Sequence, residues 1–315
     1  MKRFLIRTAL FALFFAGMMF VLEQLTTNGL HRLKSEPFTD WNRIRKGEIK
    51  DEMVILGSSR AMYHYDPHVL EAGLGIGVSN LGVEGAGPWL SEARWNYYFS
   101  HHPTPKYVVL NLDITSFRRD PNIFAKLQYM PYLNDSSIYH GLSALDGSIW
   151  QERYLPMYRY HGYPVTVLRG LLALGNVNLG QEVSYKGFVS RELEWTGEFE
   201  EFAAEQEEKV EWPIDEDCLG QIPRLIERCQ AAGTRLIMVY SPEHILNQEL
   251  SSNRGDVFAE FDRIAAEYEV SFVDYSNHPL SQDKQFFYNS QHMNAKGARL
   301  FSEDLIPYLK GEFDL

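Results

Sequence analysis

Five short β-rich runs, alternating with stretches of helical periodicity, constrain this chain more than any other feature of its sequence. The runs are Met53–Leu56, Val78–Leu81, Tyr107–Leu112, Arg235–Tyr240 and Val270–Asp274. Such alternation is the signature of βαβ units, which build a parallel sheet with helices on its faces. Between the runs, apolar residues recur at helical spacing, as in Ile222, Leu225, Ile226 and Cys229, or Val257, Phe261, Ile264, Ala265 and Tyr268. The pattern predicts an α/β, flavodoxin-like three-layer sandwich with a parallel sheet of order 2-1-3-4-5. Its ligand site belongs at the carboxyl ends of strands 1 and 3. A last helix is expected after Asn294, with Pro307 disturbing its end.

The alternation stops over residues 117–216, which read as an insertion between strands 3 and 4, helical because they hold no run of alternating strands. The first half is tyrosine-rich, with Tyr129, Tyr132, Tyr139, Tyr154, Tyr158, Tyr160 and Tyr163. Those rings suit either a core or, with Trp89 or Trp195, a platform for a sugar chain. The second half is acidic: Glu192 to Asp217 holds twelve acids and one base, a net of −11. Most of the chain's net charge of −12 therefore sits in one segment, read as a solvated helix face or linker. That acidic balance excludes a general nucleic-acid binder, which needs Lys and Arg to replace phosphate counterions. A hydrophobic content of 45% excludes disorder.

Cys218 and Cys229 exclude a disulfide-dense scaffold and a Cys-only zinc site. If Asp217 to Ala232 is one helix, the two thiols stand roughly 16 Å apart along it and cannot bridge. No ligand spacing suggests a metal, and no cofactor is expected.

The N-terminus sets a second constraint. Thr8 to Leu22 is free of charge and follows Lys2, Arg3 and Arg7. Fifteen helical residues cover roughly 22 Å of the roughly 30 Å hydrocarbon core, and starting at Phe4 with Arg7 snorkelling nearly completes the span. No small-x-small cleavage site follows the run. The reading is an uncleaved single-pass anchor in a bacterial inner or cytoplasmic membrane, with the soluble domain facing the periplasm or cell exterior. Residues 1–50 serve as anchor and juxtamembrane linker, and 51–315 form the folded domain with its insertion.

Three segments could carry chemistry. The first strand runs into Gly57-Ser58-Ser59-Arg60, which presents a serine hydroxyl at the carboxyl edge of the sheet. The second runs into Gly82-Val83-Glu84-Gly85-Ala86-Gly87, where glycines let backbone approach a ligand. Near the C-terminus, Asn289-Ser290-Gln291-His292-Met293-Asn294-Ala295-Lys296-Gly297 offers a histidine as general base. Taken singly, each is also an ordinary turn. Elsewhere, Glu243 and His244 read as a solvated loop, and His101 and His102 as the close of a helix beginning near Pro88.

In this order along this fold, the three segments resemble the SGNH/GDSL hydrolase family. The resemblance implies Ser59 as nucleophile, His292 as base, and an oxyanion hole from the Ser59 and Gly85 N–H groups. Two positions depart from the family pattern. The triad aspartate falls on Asn289, so His292 works in a dyad, or Asp274 or Asp283 substitutes, or the enzyme is weak. The third-block asparagine is missing, since Asn111 comes too early; Thr115 or Ser116 can supply a hydroxyl instead, whereas an ionised Asp113 cannot donate.

With the anchor, the motifs look most like the membrane-anchored envelope-polymer proteins of alginate O-acetylation and teichoic acid D-alanylation. That likeness implies acyl-ester chemistry on a surface polysaccharide, the expected partner, by esterase or O-acyltransferase action. Other membrane proteins of such a system are further expected partners. The competing reading is a degenerate SGNH domain that binds glycan or scaffolds an assembly without turnover.

Overall fold

The computed structural model describes residues 1–180, 184–206 and 208–315. In chain order the elements are α1 (Lys2–Leu30), α2 (Thr39–Arg45), β1 (Met53–Leu56), α3 (Ser59–His64), α4 (Pro67–Leu74), β2 (Val78–Asn80), α5 (Pro88–His101) and β3 (Tyr107–Asn111). The insertion contributes α6 (Ser136–Leu145), α7 (Trp150–Tyr154), α8 (Pro164–Leu174) and α9 (Glu198–Glu205). There follow α10 (Glu216–Leu219), α11 (Gln221–Ala231), β4 (Arg235–Tyr240), α12 (Ile245–Leu250), α13 (Arg254–Glu267), β5 (Ser271–Asp274) and α14 (Ala295–Phe313).

All strands pair in parallel, in the order β2-β1-β3-β4-β5. The strands were legible as apolar runs because the sheet is buried on both faces. Val54, Leu56, Val108, Leu110 and Met238 pack on the side of α5, α11 and α13. Their neighbours Met53, Ile55, Val109, Ile237 and Val239 pack on the side of α4 and α14. Strand ends differ by one residue from the expected ones: β2 and β3 stop at Asn80 and Asn111, and β5 starts at Ser271.

Three expectations are corrected. Gly220 divides the expected helix Asp217–Ala232 into α10 and α11; both cysteines are free and buried. Pro307 lies inside α14, which runs on to Phe313. Residues 31–50 are not a linker: Phe38, Trp41 and Ile44 of the α2 region are core residues, and Asn42 donates to the carbonyls of Leu30 and Leu33 at 2.8 and 2.9 Å.

Helix α1 is long and apolar enough to cross a membrane, and its last turns enter the body. There it crosses α8 so closely that a Cβ on Gly29 would sit 1.7 Å from the Gly170 carbonyl oxygen. Glu23 pairs with Arg159 at 3.2 Å, both buried, and the Thr27 and Tyr160 hydroxyls share a 2.7 Å hydrogen bond. The insertion is helical as expected, and its buried tyrosines Tyr129, Tyr132 and Tyr160 belong to the main core. The acidic helix α9 buries no residue, as a solvated face requires; Glu207 of that stretch lies outside the described residues.

Candidate active site

Chain geometry after β1 aims the serine. Gly57 has φ 138°, and a Cβ there would stand 2.8 Å from the Asn111 carbonyl oxygen, so the backbone turns tightly over the end of β3. Ser58 then caps α3, its Oγ accepting the Arg60 N–H at 3.2 Å, which makes Ser59 the first helical residue. Buried Asn80 fastens this helix to the glycine turn. It donates to the carbonyls of Ala61 and Tyr65 at 2.7 and 3.1 Å and accepts the Gly82 N–H at 2.9 Å. Within that turn Gly85 has φ 67°, and Phe124 occupies the space a Cβ would need, 2.5 Å away.

The histidine arrives on the loop before α14. His292 Nε2 lies 2.7 Å from Ser59 Oγ, and His292 Nδ1 lies 3.0 Å from Asn289 Oδ1. The same Asn289 atom accepts the backbone N–H groups of Gln291 and His292 at 3.0 and 2.9 Å. Two backbone donors converging on one atom make it the amide oxygen, which then accepts from Nδ1–H as well. The imidazole is thereby held with its proton on Nδ1 and its lone pair on Nε2 facing the serine. Asn289 keeps the tautomer of a triad; it lacks only the negative charge. Asp274 and Asp283 do not replace it, since Asp274 accepts the Ser276 N–H at 2.8 Å and Asp283 the Gln285 N–H at 3.0 Å.

Neighbouring rings hold the imidazole from two sides. Tyr288 stacks on it with centroids 5.5 Å apart, and Tyr63 meets it edge-on at 5.3 Å. Arg191 of the insertion donates to Tyr63 Oη at 3.0 Å. Burial first, then the charges of Arg60 and Arg191, pushes the His292 imidazole down to about 3. His292 is therefore neutral, with its Nε2 lone pair free but only weakly basic.

A second histidine positions the first. His64, fully buried, accepts the Met293 N–H on Nε2 at 3.1 Å and donates from Nδ1 to Ser241 Oγ at 2.9 Å. Burial, with Arg60 and His292 adding to it, holds His64 well below its ordinary range, as these two contacts require of a neutral ring.

Ser59 and Gly85 line a cavity of about 200 Å³ together with Asp113, Thr115, Arg118 and Gln291. Thr115 thus reaches this cavity, whereas Asn111 lines only the smaller one beside it, its Oδ1 accepting from Tyr65 Oη at 2.7 Å. Ser116 Oγ accepts the Asp113 N–H at 2.8 Å and supports the turn. The Asp113 carboxylate also faces this cavity, paired with buried Arg60 at 3.2 Å. Burial raises the Asp113 carboxyl and Arg60 opposes the shift. A mainly apolar cavity of about 60 Å³, lined by Trp95, Leu110, Ile222 and Leu225, shares Ser58, Ala86 and Thr115 with the larger one.

Glu243 and His244 are not a solvated loop. Glu243, 1% exposed, accepts from Tyr240 Oη and Asn247 Nδ2 at 2.7 Å each and pairs with Arg254 at 2.5 Å. His244 caps α12 and packs on Trp195. Trp195 Nε1 donates to Glu200 at 3.0 Å, and Trp89 is half-buried with its Nε1 inside the fold. His101 and His102 close α5 as expected. Arg60, Tyr63, His64 and Arg191 had no sequence signal beyond the adjacency of Arg60 to Ser59.

No protein-family model matches the chain, and no curated protein matches it. Solved structures similar to it include an acetyl xylan esterase, at 10% identity over 82% of this chain and 98% of that one, with a TM-score of 0.39. An extracellular lipase of Streptomyces rimosus matches at 12% identity over 82% and 98%, with a TM-score of 0.39. A GDSL-like lipase of Bacteroides thetaiotaomicron matches at 11% identity over 81% and 85%, with a TM-score of 0.37. At such distance the chemistry of this chain rests on its own residues. Its strand order is the expected 2-1-3-4-5, and the serine block and the histidine loop meet at the carboxyl edge of the sheet.

Proposed function

We propose that the chain is a membrane-anchored SGNH-type serine acyl esterase or O-acyltransferase acting on an envelope or exported polysaccharide. The observation that carries this reading is the relay Ser59 Oγ, His292 Nε2 and Nδ1, Asn289 Oδ1, with contacts of 2.7 and 3.0 Å. Ser59 Oγ attacks the ester carbonyl as its proton passes to His292 Nε2. In this reading the tetrahedral oxyanion forms in the cavity that Ser59, Gly85 and Thr115 line, with the Ser59 and Gly85 N–H groups and the Thr115 hydroxyl as its donors. His292 returns the proton to the departing alcohol, which leaves an acyl-serine. Water then completes hydrolysis, or a sugar hydroxyl completes transfer. The small apolar cavity beside the serine suits a short acyl group better than a long chain.

One observation favours the alternative, a degenerate domain that binds without turnover. His292 pushed down to about 3 is a weak proton acceptor, and Asn289 offers no charge to hold the imidazolium. Fluorophosphonate labelling of the full-length protein in detergent separates the two. The enzyme reading expects labelling of wild type at neutral to mildly alkaline pH, lost in Ser59→Ala and in His292→Ala. Unlabelled wild type would leave the binding domain standing.

A further inference from the structure

After α1, fourteen large hydrophobic side chains are exposed among the described residues, and nine of them fall between Trp150 and Leu179. That stretch is about a tenth of the chain, so the cluster is not the scatter of single apolar residues that any surface shows. Val165 and Leu168 of α8 are 69% and 53% exposed, and Trp150, Tyr154 and Tyr158 of the segment before it are 47%, 64% and 42%. The opposite side of α8 is small and buried, with Thr166, Gly170 and Ala173 turned into the body, Gly170 directly against α1.

The place of this cluster relative to α1 suggests its medium. The charge-free run of α1 ends at Leu22, and Thr26 and Gly29, which touch Gly170, lie roughly 6 and 10 Å further along the helix at 1.5 Å per residue. The polar headgroup layer on each side of a bilayer is roughly 5–8 Å deep, and a helix is roughly 10 Å across. If α1 spans, α8 is held at the membrane surface. The ion pair Glu23–Arg159 fixes this register at the end of the apolar run. Exposed Trp and Tyr beside aliphatic residues is the composition of a membrane–water interface. The charge that reaches the surface also fits: Arg159 is buried against Glu23 and Glu152 pairs with Lys126, which leaves Arg153 and Arg169 as the cations of residues 150–180 in a chain of net charge −12. Anionic lipid attracts such a segment.

We propose that residues 150–179 lie in the membrane surface, with Val165 and Leu168 at the boundary of headgroups and acyl chains and the aromatic side chains among the headgroups. This rests on the reading of α1 as a membrane anchor. It makes the insertion a second foot beside the anchor, so that the sheet edge carrying Ser59 stands at a fixed attitude to the bilayer and does not swivel on one helix.

The test places single nitroxide labels on the full-length protein in nanodiscs of phosphatidylethanolamine and phosphatidylglycerol. The sites are Phe14→Cys in α1, Leu168→Cys in α8 and Arg299→Cys on α14. The native thiols are buried, and burial pushes them up to about 11 and about 12, so they stay unlabelled. Collision of each label with oxygen, which concentrates in lipid, is compared with collision with a water-soluble nickel chelate. The proposal expects Phe14 and Leu168 to favour oxygen and Arg299 to favour nickel. Leu168 reading like Arg299 while Phe14 favours oxygen overturns the proposal and leaves the anchor intact. Leu168 shielded from both also overturns it, in favour of a contact between copies of the chain. Phe14 favouring nickel would instead remove the anchor reading.

Discussion

At the sheet edge, Ser59, His292, Asn289, His64 and Ser241 are joined through contacts of 2.7–3.1 Å that fix each ring's tautomer. Along residues 150–179 the body instead leaves large apolar side chains facing outward, while the same segment packs on α1 through Gly170. The first region is organised from within the fold and needs no outside partner to hold its geometry. The second is complete only on its α1 side. On the proposed reading, chemistry and attachment are carried by separate parts of the chain, and Arg191, further along the insertion, reaches Tyr63 beside His292.

The largest effect expected from breaking the second region comes from Gly29→Val. The new Cβ would overlap the Gly170 carbonyl, so α1 and α8 must separate. The expected loss is about 3 kcal/mol or more, the upper end of overpacking costs, read as a drop in thermal unfolding temperature in detergent. Gly17→Val, with no atom within 4 Å of its Cβ, should leave that temperature unchanged. Equal behaviour of the two variants would mean that α1 is not part of the folded body.

Asn289→Asp probes the first region and is smaller in scale. An aspartate can accept the same three N–H groups and adds the charge that the imidazolium lacks. In serine proteases the reverse change loses about 10⁴ in kcat, largely through the wrong tautomer. Here the tautomer is already right, so only the charge is to be gained. Esterase turnover should rise about 10- to 100-fold, or about 1.4–2.8 kcal/mol of barrier. Unchanged turnover would show that the charge on this group does not limit the reaction.

Acid gives the most graded test, small at each step of pH. His292 is pushed down to about 3 in the folded protein, so between that value and its unfolded value of about 6.5 the unfolded chain binds the extra proton. Stability should therefore fall as pH drops below about 6.5, by up to about 1.4 kcal/mol per pH unit from this one group. His292→Gln removes the group, and its denaturant midpoint should decline less steeply with acid than that of wild type. Parallel declines would mean that His292 is not held neutral by the fold.

What could be read beforehand follows from how far each residue's partners lie along the chain. The strands were legible because Met53–Leu56 and Leu236–Tyr240 are buried on both faces and read as apolar runs. Ser59, His292 and Asn289 were legible because each sits in a short motif with its own turn. Arg60 was not, since its partners Asp113 and Ser241 lie 53 and 181 positions away, and nothing in Ser59–His64 marks it as buried. Thr26 to Leu30 fell within the stretch read as anchor and juxtamembrane linker, and their contact with α8 carried no local signal. Their small size is what lets α8 approach, across 141 positions from Gly29 to Gly170. Phe38, Trp41 and Ile44 did carry a signal, three apolar residues at helical spacing, which placed α2 in the core.

The central claim is that Ser59 forms an acyl-enzyme. The direct measurement is to mix the full-length protein with p-nitrophenyl acetate, quench in acid and determine the intact and peptide masses. The account predicts one added acetyl group on the peptide containing Ser59, absent from Ser59→Ala and from His292→Ala. Release of nitrophenol without acetyl on Ser59, or no release at all at neutral and mildly alkaline pH, would contradict it.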